Sequence, residues 1–317
     1  MKVLITGGGG FIGSHLVDRL IADGHEALVI DNFSTGRRDN LGEVDGLTLI
    51  EGTIADRDTV ESAFEQFGPD RVVHAAASYK DPDAWQEDVV TNALGTANVV
   101  QVAKDAEVER LLYFQTALCY GTSPTEQPVP LDHGIFPDSS YAISKTAGEQ
   151  YIQLSGLDYV SMRLANVYGP RNISGPLPTF FSRLTDGKPC FVMDTRRDFV
   201  YVDDLLAVVM KALDGTGHGV YHVSSGSDYA IKDLFDATIA AMEYDLEEDV
   251  EVRPREEDDA FTILLDPTRT EQDFDWKVET SLGQGVAAAI AWYAENGVSQ
   301  TFTHLNLDEL KVTEDAS

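Results

Sequence analysis

The chain has 317 residues, 43% of them hydrophobic, and sets 54 acidic against 23 basic residues for a formal net charge of −31. That is enough chain to bury a large core as one big domain or two smaller ones. Its charge excludes nucleic acid as a natural partner, and no apolar run reaches the ~18 residues of a membrane-spanning helix.

The first predicted strand, Lys2 to Thr6, leads through Gly7-Gly8-Gly9-Gly10 into a predicted helix over Phe11 to Ala22. Glycines 7, 10 and 13, after a strand and at the head of a helix, make a pyrophosphate cradle. Gly7 permits the tight turn, Gly10 lets the backbone approach phosphates, and Gly13 lets helix and strand pack closely; the helix start at Phe11 and Ile12 offers N–H donors and partial positive charge.

The second strand, Glu26 to Asp31, ends in an acid 18 residues beyond Gly13. A carboxylate at about that spacing accepts from both adenosine ribose hydroxyls and repels a 2′-phosphate. NAD is therefore the expected cofactor, bordered by Asn32, Ser34, Thr35 and Gly36, while Arg37 and Arg38 keep NADP as an alternative.

Further strands are predicted over Leu47 to Glu51, Arg71 to Ala75, Arg110 to Thr116 and Asp158 to Leu164, with helices over Thr59 to Gln66, Asn92 to Asp105 and Tyr141 to Leu154. β-branched runs alternating with amphipathic stretches give an α/β fold, a Rossmann-type doubly wound parallel sheet. After Asn166, a Pro- and Gly-rich passage from Tyr168 to Pro178 marks a change of organisation. The expected division is an NAD-binding domain over 1–165, to which 197–223 returns, a smaller α/β substrate region of 166–196 and 224–300, and a polar, frayed tail over 301–317.

The predicted helix after strand five begins Tyr141-Ala142-Ile143-Ser144-Lys145, which puts a phenol and an ammonium on one face. A phenol near pKa ~10 is a poor base, but a positive charge ~4 Å away is worth roughly 4 kcal/mol at an effective dielectric of ~20, about three pKa units. Lys145 is thus expected to lower the Tyr141 pKa and to hold the nicotinamide ribose. Thr116, at the end of strand five, is the hydroxyl expected beside the substrate oxygen.

Together these residues resemble the extended short-chain dehydrogenase/reductase family, specifically its NAD-dependent nucleotide-sugar epimerases and dehydratases. The resemblance also rests on His74-Ala75-Ala76-Ala77, Asn92 with Gly95-Thr96, Tyr120-Gly121, Arg163, Tyr168-Gly169-Pro170-Arg171 and Arg197 through Asp204. It implies that Ile54, Ala75, Ala76, Ala77 and Asn92 also touch NAD. It further implies that Asn166 and Arg197 hold the diphosphate of a nucleotide sugar, with Arg255 as a second clamp; guanidinium forks match phosphate oxygens bidentately. Lys80 and Tyr79 are candidates for holding the sugar, or else a loop ion pair and a packed aromatic.

Family members that dehydrate across C5 and C6, or decarboxylate a uronic acid, carry acids just after the catalytic threonine; here those positions are Ala117 and Leu118. Neither can exchange a proton, so C4 epimerisation of a UDP-linked sugar, with Tyr141 as base, is the leading expectation. A dehydratase or reductase of the same family, or an NAD-binding regulatory protein without turnover, are the alternatives. The resemblance also implies a homodimer built on the helices near Asn92 to Asp105 and Tyr141 to Leu154, and work in polysaccharide or glycan synthesis.

A cytoplasmic location is the default expectation. With Cys119 and Cys190 the only cysteines, and no Cys or His pair at metal-ligand spacing, neither a disulfide nor a metal is expected. The acidity itself has two readings, adaptation to high salt or simply an acidic, soluble surface.

Overall fold

The structure is a computed structural model that describes residues 1–79, 81–255, 260–298 and 301–302. Its central sheet is built from β1 (Lys2–Thr6), β2 (Glu26–Asp31), β3 (Leu47–Glu51), β4 (Arg71–His74), β5 (Arg110–Thr116), β6 (Tyr159–Leu164) and, much later in the chain, Gly219–Val223. The seven strands lie in the order β3-β2-β1-β4-β5-β6 and then Gly219–Val223, all parallel. The order reverses between β1 and β4, the switch point at which open α/β sheets bind ligands beyond the carboxyl ends of their strands.

The strands read as continuous apolar runs because both faces are covered. Alternate residues go to opposite layers: Val3 and Ile5 pack with Leu16 and Leu20 of α1 (Phe11–Ala22). Leu4 and Leu111 pack on the other side with Val60 of α2 (Arg57–Phe67).

Between β4 and β5 the expected single helix is three consecutive pieces. α3 (Trp85–Asp88) runs into a π turn (Val89–Gly95) and then α4 (Thr96–Asp105). α5 (Ser140–Ser155) is capped by Ser139, whose hydroxyl accepts from the Ala142 N–H.

Beyond Asn166 the sheet elements shorten to β7 (Asn166–Tyr168), β8 (Phe191–Met193), β9 (Arg196–Arg197) and β10 (Phe199–Tyr201), with α6 (Pro176–Thr185) among them. α7 (Val202–Leu213) then returns the chain to the main sheet as β11 (Gly219–Val223), paired with β6. β12 (Tyr229–Ala230), α8 (Ile231–Ala241), β13 (Glu251–Arg253), α9 (Thr268–Phe274) and α10 (Leu282–Asn296) follow. A separate core of Phe180, Phe235, Val286 and Tyr293 binds α6, α8 and α10 together. Phe302 exchanges backbone hydrogen bonds with Ile173 and Gly175; residues 303–317 of the tail, and Lys80, lie outside the described residues. Among the described residues no helix is long and apolar enough to cross a membrane.

Candidate active site

A cleft of about 450 Å³ opens over the carboxyl ends of the strands and runs from the glycine turn to the start of α6. Gly7, at φ +73°, sits where a Cβ would be 2.7 Å from the Ala76 nitrogen, and a Cβ on Gly13 would be 2.8 Å from the Gly8 Cα. These two glycines let β1, α1 and the loop after β4 approach closely. Gly10 differs: its Cβ position meets only the Gly7 carbonyl within 4 Å, and the residue lines the cleft. A side chain there would fill the cradle, so the fit to a pyrophosphate is good.

Asp31 lines the cleft with its carboxylate braced from behind, accepting from the Gly9 N–H at 2.7 Å and the Phe33 N–H at 2.7 Å. Burial raises its pKa, against those two hydrogen bonds. The arginines that left NADP open are engaged with carboxylates: Arg37 pairs with Asp39 at 2.6 Å, and Arg38 pairs with Glu51 while stacking on Phe33.

Phe11, Ile12, Asn32, Ser34, Thr35, Ile54, Ala75, Ala76 and Ala77 also line the cleft. Gly36 does not line it; a Cβ there would lie 2.8 Å from the Gly9 backbone, so its glycine serves loop packing. Nor does Asn92. Its side chain clamps the Ser78 main chain, accepting at 2.8 Å and donating at 2.9 Å, and donates to Ser144 at 3.0 Å.

Thr116, Tyr141 and Lys145 line the same cleft. The Thr116 hydroxyl accepts from the Leu118 N–H at 3.2 Å. Lys145 is buried, with its ammonium 4.0 Å from the centre of the Tyr113 ring. Here one expectation is corrected. The Tyr141 pKa is raised, first by burial and then by Tyr79 and Asp88, with the neighbouring Thr116 opposing. Lys145 is itself pulled down to about 7 by burial, against the Glu149 charge, so the desolvation that hinders the phenol also weakens the cation meant to help it.

Asn166 begins β7 and lines the cleft, and its amide donates to the Asp198 carbonyl at 3.2 Å. Arg197 and Arg255 do not line it; Arg197 donates to the Ala260 carbonyl at 2.9 Å. Several cleft residues escaped sequence reasoning. Gly52 and Thr53 follow the end of β3 and were findable from the rule that ligands sit beyond strand ends. Asn40, Ser78, Glu87, Thr91 and Ser174 reach the cleft from loops and short helical turns with no local signal, and Arg171 belongs to a motif that the sequence singled out without giving it a site role.

A family model described as the NAD dependent epimerase/dehydratase family matches residues 3–224. The chain belongs to that family. It is an epimerase-class enzyme, and its cofactor is NAD. The UDP-glucose 4-epimerase of Mycolicibacterium smegmatis is 31% identical over 313 residues, covering 92% of this chain and 98% of that protein. The Bordetella bronchiseptica enzyme WbmH, solved in complex with NAD+, is 55% identical with a TM-score of 0.91 over 94% of this chain and 99% of that one. WbmG of the same organism, in complex with NAD and UDP, is 46% identical with a TM-score of 0.90 over 96% and 99%.

Proposed function

We propose that the protein epimerises a UDP-linked sugar at C4 through a transient 4-keto sugar. The observation that carries the reading is that Thr116, Tyr141 and Lys145 line the same cleft as the glycine cradle. Thr116 holds the C4 hydroxyl against the phenol, and Tyr141 takes its proton as the carbonyl forms, then returns it. NAD held by Gly7, Gly10, Gly13 and Asp31 would supply reversible hydride acceptance at C4 and a positive ring charge that would help Tyr141 ionise. Lys145 fixes the nicotinamide ribose, and Asn166, at the cleft wall, takes the substrate diphosphate, with Arg197 and Arg255 as clamps that close on it from outside the cleft lining. Lys80 is the residue we assign to the sugar.

The cofactor-binding part comprises 1–165 with 197–223, and the substrate part 166–196 with 224–300. Val89 and Leu94 of the π turn, at 56% and 49% exposure, and Ile143 and Leu154 of α5, at 55% and 80%, leave neighbouring helices with an apolar face. A homodimer covers it, and sedimentation of Leu154→Asp as monomer would support that assembly.

A second reading, dehydration, draws on Glu87, a carboxylate lining the cleft. Ala117 and Leu118 favour epimerisation, since they leave the usual acid positions without a titratable group. Proton NMR of the protein with NAD and a panel of UDP-hexoses, UDP-N-acetylhexosamines and UDP-uronic acids decides. An anomeric signal of the C4 epimer without net NADH supports the proposal. A 4-keto-6-deoxy product moves the assignment to dehydration, and silence across the panel overturns both.

A further inference from the structure

His74 ends β4 with its ring fully buried between two threonines. Its Nδ1 lies 2.6 Å from the Thr6 hydroxyl and its Nε2 2.8 Å from the Thr96 hydroxyl. The partners fix the direction of every bond. Thr96 donates its proton to the Asn92 carbonyl at 2.5 Å, so it accepts from the Nε2–H of the ring. Burial, with the nearby Lys145 charge, holds His74 neutral by lowering its pKa to about 3. Its Nδ1 therefore carries a lone pair and accepts from Thr6. The Thr6 oxygen in turn accepts from the Ala76 N–H at 3.2 Å.

Each end of this chain of bonds reaches one half of the site. At one end, Thr6 and Ala76 flank the close contact of the glycine turn with the loop after β4. At the other, Asn92 belongs to the π turn, and its side chain holds Ser78 of the cleft wall and Ser144, which lies between Tyr141 and Lys145 on α5. α5 is seated on the same cluster, because a Cβ on Gly148 would be 3.1 Å from the Thr96 hydroxyl and 3.2 Å from the Asn92 carbonyl. A π turn is a costly local geometry that survives where its surroundings hold it, and the Thr96 bond to His74 is one such hold.

We propose that His74 is a positioning residue for the epimerisation: a directional, uncharged link that sets the cofactor cradle in register with the helix carrying Tyr141 and Lys145. An apolar residue would fill the same space but give the π turn no fixed partner. Misplacement of reacting groups by ~1 Å can cost ~100-fold in rate. The role rests on the proposed reaction, but the link itself does not.

Thr96→Val tests it, because it keeps the shape and removes the acceptor. In that variant kcat should fall by about tenfold or more while KM for the sugar nucleotide stays within about twofold, the pattern of lost transition-state alignment. Amide exchange should accelerate at Ala76, Ser78 and residues 89–95, and remain unchanged in β2 and β3. His74→Leu should match it, and the double variant should be no slower than either alone, because the two side chains act as one unit. His74→Gln, which keeps a donor toward Thr96, should recover part of the rate; should Thr96→Val not fold, comparing His74→Gln with His74→Leu tests the link in its place, and equal rates for those two would overturn it. A kcat within about twofold of the parent in Thr96→Val overturns the proposal. Should the parent turn over nothing, the reaction assignment fails separately, and unchanged exchange at 76, 78 and 89–95 would still overturn the link.

Discussion

Lys145 holds its ammonium 4.0 Å from the centre of the Tyr113 ring in a fully desolvated site. Its pKa, lowered to about 7, lies far below that of an unfolded lysine. Between these two values the unfolded chain binds more protons than the folded one, so stability rises with pH across that window; below it the cost of burying the charge is present in full. Lys145→Met removes the charge and keeps the stem. Calorimetry at about pH 6 should find the variant more stable than the parent, by roughly 2–8 °C in Tm, with the gap narrowing toward pH ~10. Turnover should fall ~100-fold or more. A variant less stable at both pH values would mean that the contact with Tyr113 outweighs desolvation.

Arg163 and Glu149 form an ion pair at 2.7 Å with side chains only 4% and 1% exposed. Ser161 donates to the same carboxylate at 2.5 Å, and Arg163 donates to the Tyr120 hydroxyl at 2.6 Å. Arg163→Met would strand a buried carboxylate, a loss of about 3–5 kcal/mol, whereas pairing it with Glu149→Leu should restore most of that. Urea unfolding of the single and double variants measures both. Equal instability of the two would assign the loss to packing instead.

The sheet was readable because each central strand is buried on both faces and so is apolar along its length, as in Leu111 to Phe114. The glycine turn was readable because close backbone approach demands glycine at fixed spacing, and Asp31 because it ends the second strand, beyond which such sheets open their cleft. What was not readable came from tertiary context. Val89 to Gly95 carries nothing that distinguishes a π turn from an α-helix; the difference is imposed by Asn92 clamping Ser78 and Ser144. β9 has two residues and exists through its pairing with β12. The sign of the Tyr141 shift depended on burial, and a sequence gives the charges near a phenol more easily than the water excluded from it.

Asp31 offers its remaining lone pairs to the cleft while bracing Gly9 and Phe33 from behind. Asp31→Ser should weaken NAD binding by about tenfold or more, as expected for loss of a charge-assisted hydrogen bond worth roughly 1.5–3 kcal/mol. NADP should lose less, because its 2′-phosphate no longer meets a carboxylate. Titration of both cofactors gives the ratio of their dissociation constants, and a ratio unchanged from the parent would remove Asp31 from cofactor selection.

A net charge of −31 repels itself most strongly in the compact state. Screening shortens the reach of that repulsion from ~10 Å at about 0.1 M salt to ~3 Å at about 1 M. The pairs that salt would weaken, such as Arg19–Asp23 and Arg57–Glu61, are exposed, and each is worth only ~0–1 kcal/mol. Relief of repulsion should therefore win, and Tm should climb with KCl up to about 1 M and then level off as long-range terms vanish. A Tm that is flat or falls across that range would mean that the carboxylates are spaced well enough to ignore one another. The acidity would then be a soluble surface rather than an adaptation to salt.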